Sequence, residues 1–98
     1  MVQAEENWAD IEVIVGDIGP DPARPGWVMA TCELTRATSV GDYPNPLAAN
    51  VGSTIQLGIG RDRAAEGDLV PGVRFRARAR LVGPRLAFVR PDSLTTEP

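Results

Sequence analysis

Hydrophobic and polar residues alternate along several short segments of this chain, and the clearest of them is residues 73–82, VRFRARARLV. The apolar set is Val73, Phe75, Ala77, Ala79 and Leu81, and the opposite set is Arg74, Arg76, Arg78 and Arg80. Because successive side chains of a strand point to opposite sides, this period of two predicts a strand with one buried face. The four arginines would then form a row on its outer face.

The same alternation, or a short apolar run, recurs between clusters of glycine and proline. It predicts strands over residues 8–18, 27–35, 53–59, 73–82 and 85–90. Only residues 61–69, RDRAAEGDL, read as a helix, with Asp62 as its candidate cap and Gly67 as its end. The long connection over residues 36–52 allows one helical turn at Leu47 to Ala49, because prolines flank it.

Five short strands in fewer than 100 residues favour a closed barrel, because closure removes exposed strand edges. The chain resembles OB-fold domains in its element order, in the Pro71-Gly72 step before strand four, and in the Gly83-Pro84 turn that joins strands four and five. The resemblance covers about residues 10–90 and concerns the fold alone. It implies an all-β fold, a five-stranded OB-like small barrel with one short helix between strands three and four. An SH3-like barrel and a small sandwich are the alternatives.

The clusters of glycine and proline and the alternating segments between them together predict one domain. We expect a flexible N-terminus over residues 1–7, a single barrel domain over residues 8–91, and a flexible C-terminal tail over residues 92–98.

Composition excludes most chemistry. The 98 residues contain no histidine, and all ten basic residues are arginine, so there is no imidazole base and no lysine for a Schiff base or a phosphate loop. Cys32 is the only cysteine and lies on an apolar strand face, which predicts a buried, inert thiol. We therefore expect a protein that is not an enzyme, with no cofactor and no small-molecule substrate.

Carboxylates give no stronger signal. Asp17 and Asp21 lie in a loop rich in glycine and proline, where turn formation explains them better than a cation does, so no metal is expected. The pairs Asp10/Glu12 and Asp62/Glu66 would need a substrate cleft that a barrel of this size barely provides.

The start of the chain is acidic and lacks the basic and apolar regions of a signal peptide, and no apolar run approaches the roughly 20 residues of a membrane span. A single cysteine also rules out an intrachain disulfide framework. The sequence therefore predicts a cytoplasmic protein without a membrane partner. The use of arginine alone, with much alanine and glycine, indicates a GC-rich bacterial or phage source.

Charge is divided unevenly along the chain. Residues 1–50 hold two arginines and eight acidic residues, a net charge of −6, whereas residues 51–98 hold eight arginines and five acidic residues, a net charge of +3. A bipolar surface favours self-association or docking to a charged partner. The overall charge of −3 and the pI of about 4.8 do not favour general nucleic-acid binding.

Six residues are the candidate partner-binding set: Arg74, Arg76, Arg78, Arg80, Trp27 and Met29. The arginine row can grip an acidic protein surface or a phosphate backbone, or it can be a solvated face neutralised by nearby carboxylates. Trp27 and Met29 would point outward from strand two as contact residues, or Trp27 would cover one barrel end against Trp8.

Aromatic residues limit the nucleic-acid hypothesis. There are five in all, and Phe75 and Phe88 are expected in the core, which leaves too few for a stacking platform. The principal hypothesis is therefore a non-catalytic binding or adaptor module that docks to a partner protein or to copies of itself. The alternatives are a barrel that binds single-stranded or duplex nucleic acid, and a structural subunit of a phage or bacterial assembly.

Overall fold

The computed structural model describes residues 6–97, which form six strands and one short α-helix. The strands are β1 Ala9–Pro20, β2 Trp27–Ser39, β3 Thr54–Gly60, β4 Arg74–Gly83, β5 Leu86–Val89 and β6 Thr95–Thr96. The helix α1 is Arg61–Glu66, and Pro46–Asn50 and Pro91–Ser93 are 3-10 turns. No helix in this part of the chain is long and apolar enough to cross a membrane.

The first five strands close into a barrel. Their order is β1-β2-β3-β5-β4, and β4 pairs again with β1. β3 and β5 are parallel, and the other neighbours are antiparallel. The barrel is mixed and OB-like, with α1 between β3 and β4, so the predicted fold class is confirmed.

The apolar residues that alternate along each strand fill the barrel interior. The buried inward-facing residues are Ala9, Ile11, Val13, Val15, Ala30, Cys32, Leu34, Ile55, Leu57, Ile59, Phe75, Ala77, Ala79, Ala87 and Val89. Leu47 of the first 3-10 turn, Ala64 of α1 and Leu69 join the same core. Burial of this apolar surface is the main term that stabilises the fold, at about 25 cal/mol per Å².

Two strands run further than the hydrophobic pattern indicates. β2 continues to Ser39, because Arg36 to Ser39 pair with β1 residues Glu12 to Ala9. β1 continues to Pro20, which is opposite Val28. A proline is tolerated at a strand end, where no ladder hydrogen bond needs its missing N–H.

The helix boundaries also refine the prediction. Gly67 ends α1, as expected, and its N–H donates to the carbonyl of Arg63. Asp62 is not the cap: Gly60 occupies that position without a side-chain hydrogen bond, and Asp62 lies in the first turn. An acidic side chain there still interacts favourably with the helix dipole.

The last residues of β1 lie at an edge of the sheet. Asp17 to Pro20 pair with β2 on one side, and within residues 6–97 no second strand pairs with their other side. Asp17 Oδ1 accepts a hydrogen bond from the N–H of Ile18 at 3.0 Å, and Pro20 has no N–H to offer.

Contacts hold the chain on both sides of the barrel domain. Asn7 is buried and exchanges two hydrogen bonds with the backbone of Leu81. In the tail, β6 pairs with β4 at Phe75 and Arg76. Of the two ends predicted to be flexible, residues 1–7 and 92–98, positions 1–5 and 98 lie outside the described residues.

Candidate functional site

Phe88 lies on the outside of the barrel, and its assignment to the core is wrong. Its neighbours Ala87 and Val89 are the buried residues of β5, so alternation places the ring of Phe88 on the outer face, where it is half-buried. The register decides this, because Ala87 is opposite Leu57 of β3 and Leu81 of β4. A small residue faces the interior there, and the large ring faces out.

Gly58 makes room for that ring. It is paired with Phe88 on one side and with Met29 on the other, at an outward-facing position of β3. A Cβ atom at Gly58 would overlap the ring of Phe88, so only glycine fits with the ring in place. A glycine inside a predicted strand can mark a close approach of another group, and Gly58 is the signal in the sequence that could have pointed to this contact.

Trp27 and Arg24 complete an aromatic cluster around Phe88. The rings of Trp27 and Phe88 are 5.6 Å apart and meet edge to face, at 76°. The guanidinium carbon of Arg24 lies 4.1 Å from the centre of the Phe88 ring, which is a cation–π contact. The ring of Phe88 is thus bounded by Gly58, Trp27 and Arg24.

The β1–β2 loop positions Arg24. Its N–H donates to the carbonyl of Asp21, and its own carbonyl accepts from the N–H of Trp27 at 3.2 Å. The carboxylate of Asp21 accepts from the N–H of Ala23 at 2.9 Å, so Asp21 forms the turn that the sequence predicts for it. Arg24 is thereby placed at the start of β2, next to Phe88.

Arg80 flanks the cluster from the other side. It is the cross-strand neighbour of Phe88 on β4, and both side chains face outward. Its Nε atom is buried, and within residues 6–97 no atom accepts a hydrogen bond from it. We call Arg24, Trp27, Met29, Gly58, Arg80 and Phe88 together the aromatic face.

The other end of the arginine row is engaged by carboxylates. Arg78 donates two hydrogen bonds to Asp10 of β1, at 3.0 and 3.4 Å. Hydrogen bonding to Asp10 and its negative charge raise the pKa of Arg78. Arg76 lies 3.6 Å from Glu97 of the tail, which follows β6. These two arginines help to hold β1 and the tail against β4.

A groove of about 630 Å³ lies beside these ion pairs. Its charged lining residues are Asp10, Glu12, Arg36, Arg76, Arg78, Arg90 and Asp92. Arg36 is 3.5 Å from Glu12, and Arg90 is 3.1 Å from Asp92. Because each arginine faces a carboxylate, the groove has mixed charge and does not select for an anion.

The ten arginines therefore fall into two groups. Five form ion pairs: Arg36, Arg63, Arg76, Arg78 and Arg90. The other five, Arg24, Arg61, Arg74, Arg80 and Arg85, have no carboxylate within 4.0 Å in the described part of the chain.

Four of the five arginines without an ion pair are located at or next to the aromatic face. Arg24 and Arg80 belong to it. Arg85 lies in the β4–β5 turn, and its carbonyl accepts a hydrogen bond from the N–H of Gln56 in β3. The N–H of Arg61 donates a hydrogen bond to the carbonyl of Gly26, the residue that precedes Trp27. Two guanidinium groups without an ion pair, those of Arg24 and Arg80, therefore belong to the aromatic face, and Arg61 and Arg85 have their backbone next to it.

Of the six residues predicted from sequence, the structure brings Trp27, Met29 and Arg80 to one surface. Arg76 and Arg78 lie along the seam with β1 and the tail, and Arg74, opposite Ile14, is at the far end of the row. Sequence reasoning missed Arg24, Gly58 and Phe88. It missed them because their meeting depends on the parallel β3–β5 pairing.

Cys32 lies inside the barrel and takes no part in this surface. It is 1% exposed, and burial raises the pKa of its thiol to about 12. The thiol therefore stays protonated at neutral pH, as expected for an inert core cysteine.

Comparison of the chain with protein-family models, with curated proteins and with solved structures gives no match, so its likeness to OB-folds rests on strand order and pairing.

Proposed function

We propose that this protein is a non-catalytic binding module whose aromatic face takes single-stranded nucleic acid. The edge-to-face contact of Trp27 and Phe88, with Arg24 at the ring, is the observation that carries the proposal. Aromatic rings and guanidinium planes are the surfaces on which unpaired bases stack. OB-folds bind oligonucleotides across strands two and three and the adjoining loops. The aromatic face includes residues of the same two strands, Trp27 and Met29 of β2 and Gly58 of β3.

The distribution of charge supports this choice despite the net charge of −3. Carboxylates engage the arginines of the β1–β4 seam, whereas Arg24 and Arg80 have none within 4.0 Å among residues 6–97. Salt screens charges beyond about 10 Å at 0.1 M ionic strength, so charges farther away than that contribute little to binding at the aromatic face.

A single strand fits better than a duplex. The bases of a duplex are already stacked on each other, and their faces are closed to a protein side chain. No helix of the described residues at the aromatic face is long enough to lie along a groove, since α1 has six residues. Ring contacts with unpaired bases are the interaction that these side chains offer.

Titration of a labelled oligothymidine of about twelve nucleotides, a length within the usual site sizes of OB-folds, tests the proposal by fluorescence anisotropy. We expect binding at low salt, and a loss of affinity of about 5-fold to 100-fold in Phe88→Leu, because one base–ring stack is worth roughly 1–3 kcal/mol. Tyr43→Leu is the matched control, because Tyr43 is exposed beyond the opposite end of β2. Absence of binding by the unaltered protein at micromolar concentration and low salt contradicts the proposal.

Docking of a partner protein, or of a second copy, is the second candidate. Arg74 favours it, because it is exposed at the far end of the arginine row without a carboxylate within 4.0 Å in the described residues. Trp27 and Met29 are residue types enriched in interfaces. Sedimentation velocity tests self-association, and Arg74→Glu should shift any dimer towards monomer. We place either activity in the cytoplasm, in keeping with a lone cysteine that is buried.

A further inference from the structure

We infer that Arg80 is the residue that binds a backbone phosphate of the strand, beside the base that contacts Trp27 and Phe88. This assignment rests on the proposed function and names the group that anchors the ligand on the aromatic face. It separates Arg80 from the three other arginines of β4, whose outward positions are similar in the sequence.

The surroundings of Arg80 differ from those of its neighbours on the same strand. Arg78 and Arg76 each meet a carboxylate of this chain, at 3.0 and 3.6 Å. The cross-strand neighbour of Arg80 on β5 is the ring of Phe88, not an acid. The chain therefore supplies counter-charges to two arginines of the row and an aromatic ring to Arg80.

The Nε atom of Arg80 is a buried donor without an acceptor among residues 6–97. Buried donors are nearly always hydrogen-bonded in folded proteins, because an unsatisfied donor loses its hydration without compensation. Because Nε is buried, the side chain of Arg80 must turn outward before an acceptor on the ligand can satisfy it. A guanidinium binds an oxyanion through two parallel N–H donors, and Nε with one terminal nitrogen forms such a pair.

A phosphodiester is the oxyanion that fits the neighbouring residues. In a nucleotide, the phosphate and the base are joined through one sugar, so an arginine next to an aromatic ring can contact both parts of one ligand. Phe88 is the cross-strand neighbour of Arg80, and Trp27 lies 5.6 Å from Phe88 between ring centres. A lone carboxylate would use the arginine and leave the rings without a role.

The test compares Arg80→Gln with Arg76→Gln. The control lies on the same face of β4, four positions away, and its partner is Glu97. For each variant, the affinity for a labelled oligothymidine is measured across a series of NaCl concentrations. The same measurement uses a peptide nucleic acid of identical base sequence, which has bases and no phosphates. Circular dichroism checks that both variants are folded.

We expect Arg80→Gln to make the slope of log K against log[NaCl] shallower by about 0.7, the value for one phosphate contact on a single strand. Its affinity for oligothymidine should fall several-fold at low salt, and its affinity for the peptide nucleic acid should not change. Arg76→Gln should keep the original slope. Arg80→Lys, which retains the charge, should keep most of the slope and lose affinity.

Two results overturn the assignment and leave the proposed function standing: an unchanged slope in Arg80→Gln, or an equal loss of affinity for both probes, which would mean that Arg80 only supports Phe88. If the unaltered protein binds neither probe, the proposed function fails and this assignment fails with it. Binding of the peptide nucleic acid alone by the unaltered protein would overturn the phosphate contact and retain the stacking surface.

Discussion

Phe88 of β5 lies against Gly58 of β3, and its ring fills the space that any side chain at position 58 would need. We therefore expect Gly58→Ala to displace the ring and to weaken its contacts with Trp27 and Arg24. The free energy of unfolding, measured by urea denaturation, should fall by about 1–3 kcal/mol, as is usual for overpacking. Oligothymidine affinity should fall as well.

Gly60→Ala is the matched control for this substitution, on the same strand. A Cβ atom at Gly60 would meet only Arg63 Cγ at 3.9 Å, an ordinary van der Waals distance. If Gly58→Ala is as stable as Gly60→Ala, and binds as well, the ring does not depend on glycine at this position.

Arg24 should stabilise the protein through the ring of Phe88. A cation–π contact at a surface is worth about 0.5–1 kcal/mol, so Arg24→Ala should lower the free energy of unfolding by that amount. In a Phe88→Leu background the same substitution should cost nothing, because the ring is gone. A double-mutant cycle measures the difference, and a coupling energy near zero would contradict the contact.

The bond between Asp10 and Arg78 should contribute to closure of the barrel between β1 and β4. Both side chains are partly exposed, so we expect a small but measurable favourable coupling in a cycle of Asp10→Asn and Arg78→Gln. The coupling should decrease at 1 M NaCl, where the screening length is about 3 Å. A coupling that persists at high salt would show that charge attraction is not its origin.

Cys32 should make stability depend on pH in the alkaline range. Burial raises the pKa of its thiol from 9.0 to about 12, so between these values the folded state holds a proton that the unfolded state has lost. The resulting contribution of Cys32 to the free energy of unfolding is fully present below pH 9 and is lost as pH rises towards 12, at about 1 kcal/mol per pH unit.

The measurement is urea denaturation of the unaltered protein and of Cys32→Ala at several pH values from 8 to 11. Subtracting the free energy of unfolding of Cys32→Ala from that of the unaltered protein cancels the contribution of the other titrating groups. This difference should become smaller as pH rises. A thiol reagent at pH 8 should modify Cys32 only after unfolding. Rapid modification of the native protein would mean that the thiol is accessible.

The sequence predicts most of the barrel because the physical signals for it are local. Alternation in β4 identifies Phe75 and Ala77 as inward-facing, and both are buried. Glycine and proline separate the strands, and Gly67 ends the helix. Each of these signals needs only the residues within one element.

The sequence does not predict the candidate site, because the site depends on pairing between distant strands. Phe88 is apolar, and within the short run of β5 nothing distinguishes its face from that of Ala87 until Leu57 and Leu81 fix the register. Likewise, the row of arginines on β4 is uniform in the sequence. Only the positions of Asp10 and Glu97 divide it into paired and unpaired members.

The edge formed by the end of β1 restricts how copies of this protein can meet. Pro20 has no amide hydrogen, and the amide of Ile18 is already bonded to the carboxylate of Asp17, so this edge has few free donors for an incoming strand. Polymerisation through backbone ladders, the route to fibrils, is thereby disfavoured here even though the barrel is rich in β-structure. A fibril-specific dye should not fluoresce in concentrated solutions of the native protein. It should fluoresce with the double variant that combines Pro20→Thr and Asp17→Ala.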